Sequence, residues 1–170
     1  MELAGQIFGW MAALFTVISY QCKTQKQLLA VQSVATFSVA MGYFFVGAYP
    51  GMVLNVMCLL RNMVYSFGDR KPFSHPATPW ILAVVMGAAG ILSWDGPISL
   101  LIIIAIMINT VFLSDENVQN LRKSILLTST LIIIYNVFCH LWGGVLNEFL
   151  AIASSAVGLY RYRNQTYEKS

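Results

Sequence analysis

The sequence predicts an all-α polytopic membrane protein with seven transmembrane helices, built as two parallel three-helix repeats joined by a linker helix. Three observations predict it. The 170 residues are 58% hydrophobic and only 10% charged, whereas a soluble domain carries about a quarter charged residues and under half apolar ones. The apolar residues fall in runs close to the about 20 residues that a membrane-crossing helix needs. The basic residues collect in every second gap between those runs. A chain of this make-up has too little polar surface for a soluble enzyme, too few charges for a disordered segment, and no basic face for nucleic acid.

The elements follow in order. Met1-Glu2 lacks the basic stretch that opens a secretory signal peptide, so the first apolar run is expected to be retained as a helix. Spans are expected at 4–22, 28–48, 51–67, 79–94, 97–113, 125–142 and 145–161. Pro50, Pro72, Pro76, Pro79 and Pro97 all fall in gaps or first turns, where a missing N–H costs nothing, and none interrupts a span. Gly5-x-x-x-Gly9 and the Gly87 to Gly90 cluster let neighbouring helices approach closely. Cys58 and Cys139 read as buried helix residues and Cys22 as a reduced thiol at the membrane edge, with no disulfide.

Orientation comes from charge. Lys23, Lys26, Arg70, Lys71, Arg122, Lys123, Arg161, Arg163 and Lys169 all lie in alternate gaps or the tail, and the other gaps hold no basic residue. Basic loops stay on the cytoplasmic side, which places the N-terminus outside and the C-terminus inside. The glycosylation-like triplet Asn164-Gln165-Thr166 then lies in the cytoplasmic tail and is not expected to be modified.

Spans five to seven repeat the rhythm of spans one to three. Each set has a basic inner loop and a tight outer turn, Tyr49-Pro50-Gly51 in the first and Trp142-Gly143-Gly144 in the second. Placing Gly51 on Gly144 sets an offset of 93 residues. Identity at that offset is low, so the argument rests on topology. Residues 1–70 form the first repeat, 71–96 the loop and linker helix, 97–163 the second repeat and 164–170 the tail. Repeats that enter the membrane in the same direction are related by an axis along its normal.

Polar residues inside the spans are the candidate site. A charge near the bilayer centre costs about 2.5–3.5 kcal/mol on insertion scales and faces the bundle interior or a cavity. Arg61 and Glu148 are such residues. Under the offset Glu148 falls on Asn55 and Ser155 on Asn62, so each third helix carries a polar stripe with an i to i+7 step. Arg61 lies about 15 Å below the outer turn and needs a partner: either Glu148, directly or through water in spite of a depth mismatch of about 9 Å, or helix carbonyls and nearby Asn or Ser groups. Asn109, Thr110, Asn136 and His140, with Gln32, Thr36 and Ser38 on span two, are further candidates for the cavity. Trp10 and Tyr43 read first as packing residues and second as lining. The plainer alternative for all the asparagines and serines is hydrogen bonding between helices, worth about 0.6 kcal/mol each.

Nothing points to catalysis. There is no Ser/His/Asp set, no phosphate-binding glycine loop and no HExxH, and Asp115-Glu116 beside Arg122-Lys123 reads as a solvated turn. His140 has no second ligand at metal spacing. No enzyme, metal or cofactor is therefore expected.

The run Gly47-Ala48-Tyr49-Pro50, followed by Leu54-Asn55 and Arg61, resembles the YgjV-type bacterial inner-membrane family, as do Asn136, Phe138, Gly143-Gly144 and Glu148. The resemblance covers residues 15–163 and implies a multi-pass protein of the bacterial inner membrane. The topology and Ser19-Tyr20-Gln21 with Lys23 also resemble the SWEET and PQ-loop superfamily of small-solute transporters, whose motif has Pro-Gln where this chain has Tyr20-Gln21. In that superfamily an asparagine on each repeat's third helix contacts substrate. The resemblance assigns that role to Asn55, and in the second repeat to Glu148 or the adjacent Asn147.

The expected function is a secondary carrier or facilitator that moves a small polar solute by alternating access. Asn55, Asn62, Arg61, Glu148, Ser155 and Asn147 are the expected substrate-binding residues. The alternative is a membrane sensor or scaffold that does not transport. Membrane lipid and one small solute are the expected partners, nucleic acid is not, and a homo-oligomer is left open.

Overall fold

The computed structural model describes residues 2–19, 25–66, 75–114 and 118–161. Over these the chain forms seven helices and, among the described residues, no strand: α1 (Glu2–Ser19), α2 (Gln25–Val46), α3 (Tyr49–Ser66), α4 (Thr78–Leu92), α5 (Ser99–Phe112), α6 (Val118–Phe138) and α7 (Trp142–Arg161). Six of them close a ring: α1 packs on α2, α2 on α3, α3 on α5, α5 on α6, α6 on α7, and α7 returns to α1. The fourth helix stands outside that ring, against α3 and α5.

The ring is apolar outside and polar inside. Each helix exposes a large apolar side chain, from Leu14, Phe37 and Met63 through Val84 and Ile104 to Leu127 and Phe149. The buried residues include Ser38, Arg61, Asn62, Thr110, Thr128, Ser129 and Asn136. A soluble protein would lose free energy on both counts. In a bilayer the outer surface meets lipid tails, and the polar groups find partners only within the bundle.

By length and hydropathy alone, two helices among the described residues qualify as membrane spans, Gln119–Phe138 and Trp142–Tyr160. Four further apolar helices are shorter, Leu3–Ile18, Ala30–Val46, Thr78–Leu92 and Ser99–Phe112. The fifteen residues of α4 rise only about 22 Å, less than the about 30 Å of hydrocarbon. α3 carries Asn55, Arg61 and Asn62, which dilute its apolar character.

The helix ends lie within three residues of the sequence reading except at α6, which ends at Phe138 rather than at the predicted 142 and also begins early. α6 begins at Val118, seven residues earlier than the predicted span, because Arg122 and Lys123 continue the helix beyond the apolar stretch. Lys123 is exposed, and Arg122 Nη1 donates to the Gly158 carbonyl of α7 at 3.2 Å. Charge ends an apolar run without ending a helix. The two tight turns between α2 and α3 and between α6 and α7 also lie earlier than expected. Tyr49-Pro50-Gly51 and Trp142-Gly143-Gly144 are already the first turns of α3 and α7.

The reversals themselves are at Gly47-Ala48 and His140-Leu141, and the two are built alike. In the first, Ala48 N–H donates to Tyr43 O at 2.9 Å and Gly47 N–H to Phe44 O at 3.2 Å. In the second, Leu141 N–H donates to Asn136 O at 2.9 Å and His140 N–H to Val137 O at 3.1 Å. Both sets are the paired bonds of a Schellman helix ending. Their left-handed residues, Gly47 (φ 77°) and His140 (φ 54°), stand 93 positions apart, as does every other pair in the comparison. The glycines serve close packing instead. Gly51 lies on the Tyr43 ring, Gly144 on the Asn136 amide, and Gly9 and Gly143 meet backbone to backbone where α1 closes the ring on α7.

Candidate functional site

The ring helices line a partly open cavity of about 250 Å³. All six ring helices line it and α4 does not. α1 contributes Thr16, and α2 contributes Gln32, Thr36 and Tyr43. α3 presents Asn55, Cys58 and Arg61, three residues at i, i+3 and i+6 on one face. Across from them α7 presents Asn147, Glu148 and Ala151. α6 adds Thr128 and Ser129, and Asn109 with Ile102 and Ile106 comes from α5. The volume lies just below the about 300–1,000 Å³ of sites for drug-sized ligands, which suits a small solute.

Hydrogen bonds fix most of these groups. Thr16 Oγ1 donates to Asn147 Oδ1 at 2.6 Å, tying α1 to α7. Asn147 Nδ2 in turn donates to Glu148 Oε1 at 3.1 Å, and the Ser129 hydroxyl bonds the same carboxylate from α6. Asn55 Nδ2 donates to the Gly51 carbonyl one turn earlier at 2.8 Å, and its Oδ1 makes no bond among the described residues.

Arg61 is 6% exposed. Its Nε and Nη2 donate to Asn62 Oδ1 at 3.3 and 3.1 Å, and its Nη1 donates to Thr110 Oγ1 on α5 at 3.2 Å. These three bonds use three of the five guanidinium N–H groups, and every acceptor is neutral.

The direct Arg61–Glu148 contact expected from sequence is not made. The two share the cavity, but Arg61 is held at α5 while Glu148 is held by α6 and its own neighbour. The depth mismatch and the competing neutral partners account for the separation.

Of the six predicted residues, Asn55, Arg61, Asn147 and Glu148 line the cavity. Asn62 and Ser155 are buried but do not. Asn62 points its oxygen at Arg61 and so holds a lining residue in place, while on α7 the lining ends at Ala151, one turn above Ser155. Gln32, Thr36 and Asn109 line the cavity, whereas Ser38, Thr110, Asn136 and His140 do not. Tyr43 both packs and lines, and Trp10 is 55% exposed. Thr16, Thr128 and Ser129 were missed, and their signal was a small hydroxyl on a helix face that also carries apolar neighbours. Cys58 is buried at the cavity wall, and Cys139 lies half-buried in the turn rather than in a helix. Cys22, the Ser19-Tyr20-Gln21-Lys23 motif as a whole, Asp115-Glu116, Asn164-Gln165-Thr166 and the remaining inner-loop basic residues lie outside the described residues or have no described side chain.

Near the Gly47 and His140 turns, aromatic and amide groups tie the helices together. Tyr43 Oη donates to Asn136 Oδ1 at 2.5 Å, and both residues are fully buried. Beside them the Gly51 N–H, in the first turn of α3, donates to Tyr135 Oη at 3.2 Å. The first turn of α7 is capped in a similar way, with Gly143 N–H donating to Gln6 Oε1 at 3.4 Å while Gln6 Nε2 donates to His140 O at 2.5 Å. First-turn N–H groups have no partner within their own helix, so capping from another helix stitches the ring together. Among the described residues no group of three or more His, Cys, Asp or Glu gathers to hold a metal ion.

Residues 3–166 match the model of the family described as Imp-YgjV, bacterial inner membrane protein. The chain belongs to that family, and its place is the bacterial inner membrane as a multi-pass protein. No curated protein and no solved structure matches it.

Proposed function

We propose that this protein is a secondary carrier for a small polar solute, not an enzyme, and that all seven helices cross the membrane. The observation that carries the reading is the cavity. Six helices from both halves of the chain line a partly open cavity of about 250 Å³ and contribute polar groups to it, in a bundle that exposes many large apolar side chains. A scaffold needs no such chamber, and every polar group placed in it costs insertion free energy.

In this reading α1–α3 and α5–α7 are parallel repeats, with α4 as the linker that returns the chain to the outer face. The matched turns at Gly47 and His140 support the repeats, and so does the order of the ring, in which α1, α2, α3 are followed by α5, α6, α7. The sequence charge bias supports an N-terminus outside and a C-terminus in the cytoplasm. Tyr43 and Asn136 occupy equivalent positions and bond each other, so their contact lies near the axis relating the halves. It would then seal the cavity on the outer side. Rocking of the two halves breaks this seal and exposes the solute site. This is the general scheme of SWEET-like carriers, without a proline inside a span.

The test is flux. Purified protein in liposomes is screened for counterflow of labelled small polar solutes, with Asn55→Ala beside the wild type. Solute-specific counterflow that Asn55→Ala reduces supports the carrier. Saturable binding with no flux for any bound solute replaces it with a sensor.

A further inference from the structure

We propose that the solute is a zwitterion, with an ammonium group that meets Glu148 and a carboxylate that meets Arg61. The proposal rests on the carrier reading and specifies what the cavity holds.

Both charged side chains open onto the same cavity, and no ion pair joins them. The Arg61 guanidinium is nearly fully buried, yet Asn62 and Thr110 offer it only neutral oxygens. Two of its five N–H groups have no acceptor among the described residues. Among the described residues Glu148 is bonded by Asn147 and Ser129 and by no cation. Buried charges are normally paired, and breaking a buried pair is costly because an uncompensated charge remains. Here the neutral bonds position each charge without cancelling it. They leave a fixed cation and a fixed acid facing one small space.

The three solute types differ in what they leave unmet. A neutral solute matches neither charge, and a singly charged one matches one and brings a new charge into the membrane. A zwitterion completes both and adds no net charge. The wall between carries Ile102, Ile106 and Ile132, which suits a short carbon skeleton.

The experiment uses the full chain in lipid nanodiscs and reads thermal stabilisation against concentration. The probes are alanine, 4-aminobutyrate and 6-aminohexanoate as zwitterions of increasing charge spacing, butylamine and butyrate as the singly charged halves, and glycerol as the neutral control. One zwitterion is expected to bind at least about tenfold more tightly than either half or glycerol, the scale of one charge-assisted hydrogen bond. Glu148→Gln is expected to weaken that zwitterion by about tenfold or more and leave butyrate unchanged, while Arg61→Gln does the same and leaves butylamine unchanged. If Arg61→Gln does not fold, Glu148→Gln and Glu148→Asp carry the test.

Glycerol or a single half binding as tightly as the best zwitterion overturns the proposal. So does a zwitterion affinity that Glu148→Gln leaves intact, or the absence of stabilisation by every zwitterion. In any of these cases counterflow of a neutral solute would leave the carrier reading standing. A zwitterion that binds as described but never crosses liposomes would overturn the carrier and keep the ligand.

Discussion

Replacing Tyr43 by Phe removes one hydroxyl and nothing else from the outer seal. Tyr43 is 1% exposed and its Oη donates to Asn136 Oδ1 at 2.5 Å, so neither atom has water to fall back on in the closed state. A net hydrogen bond is worth about 0.5–1.5 kcal/mol. If the bond exists only when the outer end is closed, its loss shifts the open population by that amount, about two- to tenfold. Cys58 reports the shift, since it lines the cavity on α3 and is buried. With Cys22 and Cys139 replaced by Ser, a membrane-impermeant thiol reagent applied outside intact cells is expected to label Cys58 faster in Tyr43→Phe than in the parent, by about that factor. Asn136→Ala is expected to speed labelling too, and the double variant to add little. Equal labelling rates, in protein that is folded and inserted, would refute the seal.

Three further expectations test the architecture. Gly143→Ala places a methyl group against the Gly9 and Trp10 backbone, which cannot move aside as a flexible side chain does, and should cost about 1–3 kcal/mol or more in detergent unfolding. Gly47→Ala meets nothing within 4 Å but sits at φ 77°, so the same assay should show the smaller left-handed penalty of about 1–2 kcal/mol. A double-mutant cycle between Arg61→Met and Glu148→Gln should give a coupling below the about 3–5 kcal/mol that breaking a buried ion pair costs, because the two make no direct bond and share no hydrogen-bond partner.

Composition made the membrane class legible, and the apolar runs located all seven helices. The turns were less legible, because glycine has two uses that look the same in text. Gly47 is needed for a left-handed backbone, while Gly51, Gly143 and Gly144 make room for Tyr43, Gly9 and Asn136. The conspicuous Gly-Gly and Pro-Gly pairs drew the turns two or three positions late, and His140, which holds the left-handed position without being glycine, gave no signal. The site was partly legible for a related reason. A charge inside an apolar run marks a cavity, which located Arg61 and Glu148, but it does not name the partner. Spacing by seven kept Asn62 and Ser155 on the right face and said nothing of where along that face the cavity stops.

The backbone is matched at the Gly47 and His140 turns, while the chemistry at the proposed equivalent positions is not. Position 61 corresponds to Ser154, and position 148 to Asn55, so the cation belongs to α3 alone and the acid to α7 alone. Had the site kept its symmetry, a solute would meet the same groups from both sides and bind equally well in two orientations. With Arg61 on one half and Glu148 on the other, a solute of unlike ends has one favoured orientation. It also touches both halves at once, and that is the requirement for coupling occupancy to their relative movement. A solute that contacts only one half has no differential affinity for the open and closed arrangements, and so cannot shift their balance. On the proposed carrier reading, the asymmetric placement of the two charges would give both selectivity and a means of sensing that the site is filled.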